Sequence, residues 1–280
     1  MNITSYCQLT ALLLILFTTF FLSAQISLAQ TNETRYLKVD YWAVPETGSA
    51  EYIDVETTLW KPLHQERLDR GIIKSWNFYE VMVGRKGVQY DYVTINIFDD
   101  FGMIDYFDLD DIISTVYPDM DRDELMNRTL ASRSNVHTEI WRVEGTVTGG
   151  DSENPGGEYV TVNFMDASEG TGEFRKMEFD FWWAIHELRV ERDILNSWAM
   201  YSLVFPEGTS RNYTYFTIDY YDRLGDIEEP VGMPLARIAH PDKSDEGLSN
   251  LFKKTGDARS VYKVELWKRV DFIINPESDR

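Results

Sequence analysis

Cysteine is all but missing from this 280-residue chain, and the single one, Cys7, falls in an N-terminal stretch that carries no charged side chain through Ala29. Ala11–Phe21 is an apolar run, and Ser27-Leu28-Ala29 supplies small residues where a signal peptidase reads. The pattern predicts a secretory signal over 1–29, cut after Ala29, although no Lys or Arg precedes its core. Cleavage would leave a chain without a thiol. Disulfides, thiolate metal sites and a cysteine nucleophile are then excluded. Positive charge is also scarce. With 27 basic against 47 acidic residues the net charge is −20, which disfavours nucleic acid and anionic membrane surfaces as partners. No later apolar run is long enough to span a bilayer.

Familiar catalytic motifs are absent too. There is no G-x-S-x-G, no phosphate-binding glycine loop and no H-E-x-x-H, since His186-Glu187 is followed by Leu188, Arg189 and Val190. Asp119-x-Asp121-x-Asp123 begins like a calcium loop, but Glu124 and Leu130 stand where glycine and glutamate are needed. His137 and Glu139 alternate onto one strand face, yet Lys263 takes the matching place later in the chain. With only four histidines, no metal site and no cofactor are expected.

What is present is a repeat. Trp60, His64, Arg67, Arg70, Ser75 and Trp76 recur as Trp182, His186, Arg189, Arg192, Ser197 and Trp198, each 122 positions on. Around the repeated segment the order of elements also recurs. Arg35–Val44 reads as a strand; a helix with apolar residues every three or four positions follows it. Pro62 predicts a kink in the first copy of that helix, and Ala184 predicts none in the second. Ser75–Val83 and Tyr90–Phe98 form a hairpin. An acidic helical segment broken at Pro118 leads to a strand over Val136–Val143. The Gly-rich stretch 149–157 reads as a linker between a first repeat, 30–148, and a second, 158–280. Each half is β-α-β-β-α-β, the split pattern of the ferredoxin-like fold, so the class is α+β.

Trp76, Phe78, Tyr92 and Phe98 make these strands apolar on both sides, and an aromatic sheet face left bare would be an association site. The expected solution is that the two sheets pack face to face within the chain, giving a monomer with an internal pseudo-dimer. At this point the segments Trp60–Tyr79 and Tyr90–Phe98 carry a resemblance. They resemble uncharacterised secreted bacterial members of the dimeric α+β barrel superfamily, and more loosely its NIPSNAP and stress-responsive branches. The resemblance implies a fused dimeric barrel. It also implies a range of activities, from cofactor-independent monooxygenases and lactone isomerases to haem enzymes and members without known activity.

Two constellations are candidate sites. Glu56, Trp60, His64 and Arg67 share one flank of the repeated helix, as do Glu178, Trp182, His186 and Arg189. Here His64 or His186 would act as a base, Glu would orient it and Trp would wall a pocket. His64, beside the Pro62 kink, is the favoured copy. The alternative is a solvated network of i, i+4 pairs. The second constellation is the polar–aromatic face of the hairpins: Tyr92, Thr94 and Asn96 with Tyr215, Thr217 and Asp219, expected to point between the sheets. Here the alternative is a hydrogen-bonded layer that fixes register.

Three functions remain open: an exported small-molecule binder with its pocket between helix and sheet, a cofactor-independent enzyme with a His base, and a structural or interaction protein. The expected location is secreted or periplasmic. N-terminal sequencing of the exported protein should begin at Gln30; a first residue at Met1 would remove the cleavage assignment.

Overall fold

Eight antiparallel strands hydrogen-bond in the cyclic order β1-β3-β2-β8-β5-β7-β6-β4 and close a barrel. They are β1 Tyr36–Ala43, β2 Ser75–Val83, β3 Tyr92–Phe98, β4 Ser134–Thr148, β5 Tyr159–Asp166, β6 Ser197–Phe205, β7 Tyr215–Tyr221 and β8 Ser260–Ile274. The structure is a computed structural model that describes residues 34–84, 89–106, 108–149, 156–167, 170–208 and 212–274. Residues 1–29, expected to be a secretory signal, and most of the expected linker at 149–157 lie outside the described residues.

The two sheets form one barrel within the chain, as expected, and they are joined at their edges. β2 pairs with β8, and β6 pairs with β4, so the sheet edges meet and no edge stays open. That is why β4 runs on to Thr148, well beyond the Val136–Val143 stretch predicted for it, and why β8 is equally long. Each must pair with a neighbour on both sides along a staggered register, β4 with β1 and β6, β8 with β2 and β5. The registers of the two halves correspond. Tyr36 faces Phe98 and Arg142 as Tyr159 faces Tyr221 and Lys268. At the junction after the linker, Gly157 has φ +58°, and a Cβ there would lie 2.5 Å from the Tyr221 carbonyl oxygen, so only glycine fits.

Closure settles which side chains are internal. Leu37, Val39 and Tyr41 of β1, Val93 and Ile95 of β3 and Tyr79 of β2 fill the barrel with Trp141, Phe164 and Trp267. The alternate residues, Trp76, Phe78, Tyr92 and Phe98, face outward and are covered by helices. Tyr92, Thr94, Asn96, Tyr215, Thr217 and Asp219 therefore do not point between sheets. They lie on the outer face of the barrel wall, since each alternates with Val93, Ile95, Phe216 or Ile218 inside.

The covering helix of each half is interrupted in the same way. α1 (Ser49–Asp54) passes through a π-helical turn, Val55–Trp60, into α2 (Lys61–Asp69). After β4, the acidic segment's α3 (Leu109–Val116) and α4 (Arg122–Ser132) having preceded that strand, the second half repeats the arrangement. There α5 (Thr171–Met177) passes through Glu178–Trp182 into α6 (Trp183–Glu191), and α7 (Met233–Ala239) and α8 (Asp245–Ala258) follow. The one-sided kink expected from Pro62 is thus corrected: both copies widen by a π turn, with or without proline. Pro62 cannot donate to the Thr58 carbonyl, and the Tyr117 hydroxyl does so instead at 3.0 Å.

At one end of the barrel two buried glutamates tie the halves together. Glu139 accepts from Tyr213 Oη at 2.6 Å, Tyr41 Oη at 2.9 Å and Trp141 Nε1 at 3.1 Å. Glu265 accepts from Tyr90 Oη at 2.8 Å, Lys263 Nζ at 3.0 Å and Trp267 Nε1 at 3.0 Å. Each glutamate thus takes a tyrosine from the other half. His137 stacks on Tyr41 at 4.1 Å, and Lys263 sits over Phe164 at 4.0 Å, so the strand positions weighed for a metal belong to this network. Replacing Tyr90 by Phe should cost about 1–3 kcal/mol, because a buried carboxylate loses a donor. Urea unfolding would show it; a cost under a few tenths of a kcal/mol would mean the clamp contributes nothing.

Candidate functional site

The two constellations read from the sequence are one site per half. Because the hairpin's polar face points outward, it lies under the helix that carries the Glu-Trp-His-Arg ladder. In the first half Arg67 Nη1 lies 2.9 Å from His64 Nδ1 and 3.2 Å from Asn96 Oδ1. In the second, Arg189 Nη1 lies 3.4 Å from His186 Nδ1 and 3.2 Å from Asp219 Oδ1, and its Nη2 donates to Tyr221 Oη at 3.0 Å. These groups are buried, which rules out the solvated-network alternative: Glu56, His64 and Arg67 are at most 7% exposed, and Glu178, His186 and Arg189 at most 6%. His64 stacks on Trp76 and His186 on Trp198, with ring centroids 5.0 and 4.5 Å apart.

Each tryptophan of the ladder is a brace. Trp60 Nε1 donates to Thr129 at 2.9 Å and Trp182 Nε1 to Thr255 at 3.1 Å, pinning the long helix to α4 and α8. The glutamates do not orient the histidines as expected. Glu56 pairs with Arg133 and Glu178 with Arg259, whose Nη1 is 3.1 Å from Glu178 Oε1. Sequence reasoning passed over these two arginines. The signal was available: Arg133 and Arg259 stand 126 positions apart, the spacing that also relates Glu139 to Glu265. Tyr92 and Tyr215 pack at the far side of the wall, edge-on to Tyr52 and Phe174 at 5.0 and 4.9 Å.

The halves differ where it matters for a ligand. The second contains a cavity of about 170 Å³ lined by Glu178, Trp182, His186, Arg189, Asn163 and Asp219. At the corresponding place in the first half Trp42 stands where the second has Met165. Trp42 donates to Thr94 at 2.9 Å, and the Arg133 guanidinium lies 3.8 Å from its ring centroid. Arg259, by contrast, contacts the Met165 sulfur and the Phe174 ring. A flexible thioether thus lines the second cavity at the position where the first half has an indole.

Burial sets the electrostatics of both seams. Burial pushes the Glu178 carboxyl up to about 7, with Arg259 opposing the shift and Asp219 adding to it. Burial likewise raises Glu56 to about 7 against the pull of Arg133. Burial and then the neighbouring arginine hold His64 and His186 well below the ordinary imidazole range, so both are neutral. A guanidinium only donates, so the Nδ1 facing it carries the lone pair and the proton sits on Nε2. Among the described residues, two buried polar atoms of this site find no hydrogen-bond partner. Glu178 Oε1 is close to Arg259 but out of alignment with its N–H, and Arg189 Nε has no acceptor. Among the described residues no group of three His, Cys, Asp or Glu is placed to hold a metal ion, and no helix is long and apolar enough to cross a membrane.

No protein-family profile matches the chain, and neither does any curated protein. Solved structures do. A monooxygenase-like protein from Fusobacterium nucleatum superposes with a TM-score of 0.53 at 10% identity, over 87% of this chain and 96% of that one. Another from Lactobacillus acidophilus NCFM gives 0.51 at 11% identity, over 86% and 97%. The chain has the dimeric α+β barrel fold. At these identities the likeness is one of architecture.

The raised carboxyl has a consequence for stability. Between the unfolded value near 4.5 and the folded value near 7, the folded chain holds a proton at Glu178 that the unfolded chain has released. Folding is therefore weakened as pH rises through that window. Glu178→Gln removes this dependence, whatever constant cost follows from leaving Arg259 with an amide. Urea unfolding at pH 5 and pH 8 should show wild type losing stability relative to the variant at the higher pH; a pH-independent difference would contradict the assignment.

Proposed function

We propose that the second helix–sheet cavity is a small-molecule site at which Glu178 exchanges a proton with the bound molecule. The observation that carries this reading is the pair of buried, unsatisfied atoms, Glu178 Oε1 and Arg189 Nε, at a cavity of about 170 Å³. A carboxyl poised near 7 takes and returns a proton at neutral pH with little penalty either way. Arg189 and Arg259 would hold the anion that results, and neutral His186, carrying its proton on Nε2, is a hydrogen-bond donor and not a base. The base assigned to His64 or His186 from the sequence passes to Glu178 in this reading. The favoured copy passes from the first half to the second.

A cavity of this size suits a single-ring molecule with a weakly acidic C–H or O–H. The monooxygenase-like neighbours suggest what would follow. The substrate anion gives its electrons to dioxygen, a methylene carbon becomes a carbonyl, and the second oxygen atom leaves as water. That balance needs no cofactor. The uncharged 1–29 segment supports placing the protein outside the cytoplasm. The corresponding registers support reading each half as a ferredoxin-like unit, and the NIPSNAP likeness rests on the helix and hairpin residues alone.

A second reading, binding without turnover, draws on the first half. There the same ladder, with Glu56 also near 7, packs around Trp42, whose indole donates to Thr94, so the ladder has structural value of its own. Oxygen uptake measured over a panel of single-ring enolisable ketones and quinols separates the two. Turnover with an apparent pKa near 7, reduced at least about 100-fold in Glu178→Gln, is the expected result. Binding without oxygen uptake would favour the second reading.

A further inference from the structure

At the end of the barrel opposite the glutamate clamps lies a second cavity, of about 150 Å³. Its floor is built symmetrically from the two halves: Tyr79 and Tyr201 from β2 and β6, with Ser75 and Ser197 at the starts of the same strands. Its charge is not symmetric. Arg35, Lys74 and Arg269 line it, whereas Glu158, Asn196 and Val143 hold the corresponding positions in the other half. Among the described residues no acidic side chain lines this cavity, in a protein whose net charge is −20. Duplication alone does not gather three basic groups at one mouth, because none of their counterparts is basic.

The hydroxyls point the same way. Tyr79 is 2% exposed at the floor of this cavity. The positive charge of Arg269 lies beside Tyr79 and Tyr220, and that of Arg35 beside Tyr201. Burial keeps these phenols protonated, with Tyr201 pushed up to about 12, so they are donors at any physiological pH. Asp99 accepts from Lys74 at 2.6 Å and lies 3.7 Å from Arg35, which sets two of the cations at the rim. Ile97, Phe272 and Ile274 supply flat apolar wall beside them.

We propose that this mouth is a second ligand site, for a monocyclic aromatic carboxylate. A cavity of roughly 150 Å³ holds a benzene-sized ring. The ring lies against the apolar wall; the carboxylate accepts from the guanidinium of Arg269 and from the Tyr79 hydroxyl. A charge-assisted pair of this kind is stronger than a neutral hydrogen bond, and it is what overcomes the repulsion an anion meets from the rest of the surface. The site is separate from the helix–sheet cavity, and neither proposal depends on the other.

Isothermal titration of the purified protein with benzoate, benzyl alcohol and acetate at pH 7 tests it. Benzoate should bind one-to-one and at least about tenfold tighter than either control, since one lacks the charge and the other the ring. Arg269→Gln should weaken benzoate at least about tenfold and Tyr79→Phe about threefold, with Glu178→Gln leaving it unchanged. Tyr79→Phe deletes a single oxygen and keeps the ring, so it keeps the test open should Arg269→Gln fail to fold. No heat at millimolar benzoate, acetate binding as well as benzoate, or benzoate binding that is lost in Glu178→Gln and kept in Arg269→Gln would each overturn the proposal.

Discussion

Closure of the sheet is the constraint from which the remaining features follow. Once β2 meets β8 and β6 meets β4, every strand has two neighbours, and the wall acquires an inside and an outside that must both be shielded from water. The inside is filled by side chains of the wall itself. The outside needs helices, and a helix laid on a curved wall carries its polar flank into the seam. That is how Glu, His and Arg come to be buried in pairs with partners on the strands, instead of standing in solvent. Burial then supplies the electrostatics: neutral imidazoles, carboxyls titrating near neutrality, and guanidiniums held by strand side chains.

The order and type of the elements were legible because they rest on local signals. Alternation in Tyr90–Phe98, the apolar spacing of the second long helix, Pro118 and the glycines each act within a few residues. The repeat added the correspondence of halves. Which face of β3 looks inward was not legible, because Val93, Ile95 and Ile97 alternate with Tyr92, Thr94 and Asn96, and both rows are compatible with burial. The outcome depends on edge pairing between residues as distant as Val81 and Trp267. The π turns escaped notice for a different reason. Pro62 drew attention to one copy, whereas the widening occurs in both and belongs to the fit of helix on wall.

The site was half visible. The ladder residues were found from spacing, and the structure assembles them. The partners of the glutamates were misread, because spacing along one helix cannot show what a strand brings from elsewhere. Arg259 enters from the start of β8, Met165 from the end of β5 and Asp219 from β7. Methionine in place of Trp42, at the wall of the second cavity, is a single position on a strand that no motif marks.

The crossed clamps have an implication for how such a chain can change over generations. Glu139 relies on Tyr213 and Glu265 on Tyr90, so neither half carries its full complement of partners. A recombination event that imports one half from a diverged relative must bring a compatible tyrosine or glutamate with it, or strand a carboxylate in the core. The two halves are thereby bound to a common inheritance at this end of the barrel, while the opposite end, free of that tie, has room to drift apart in charge.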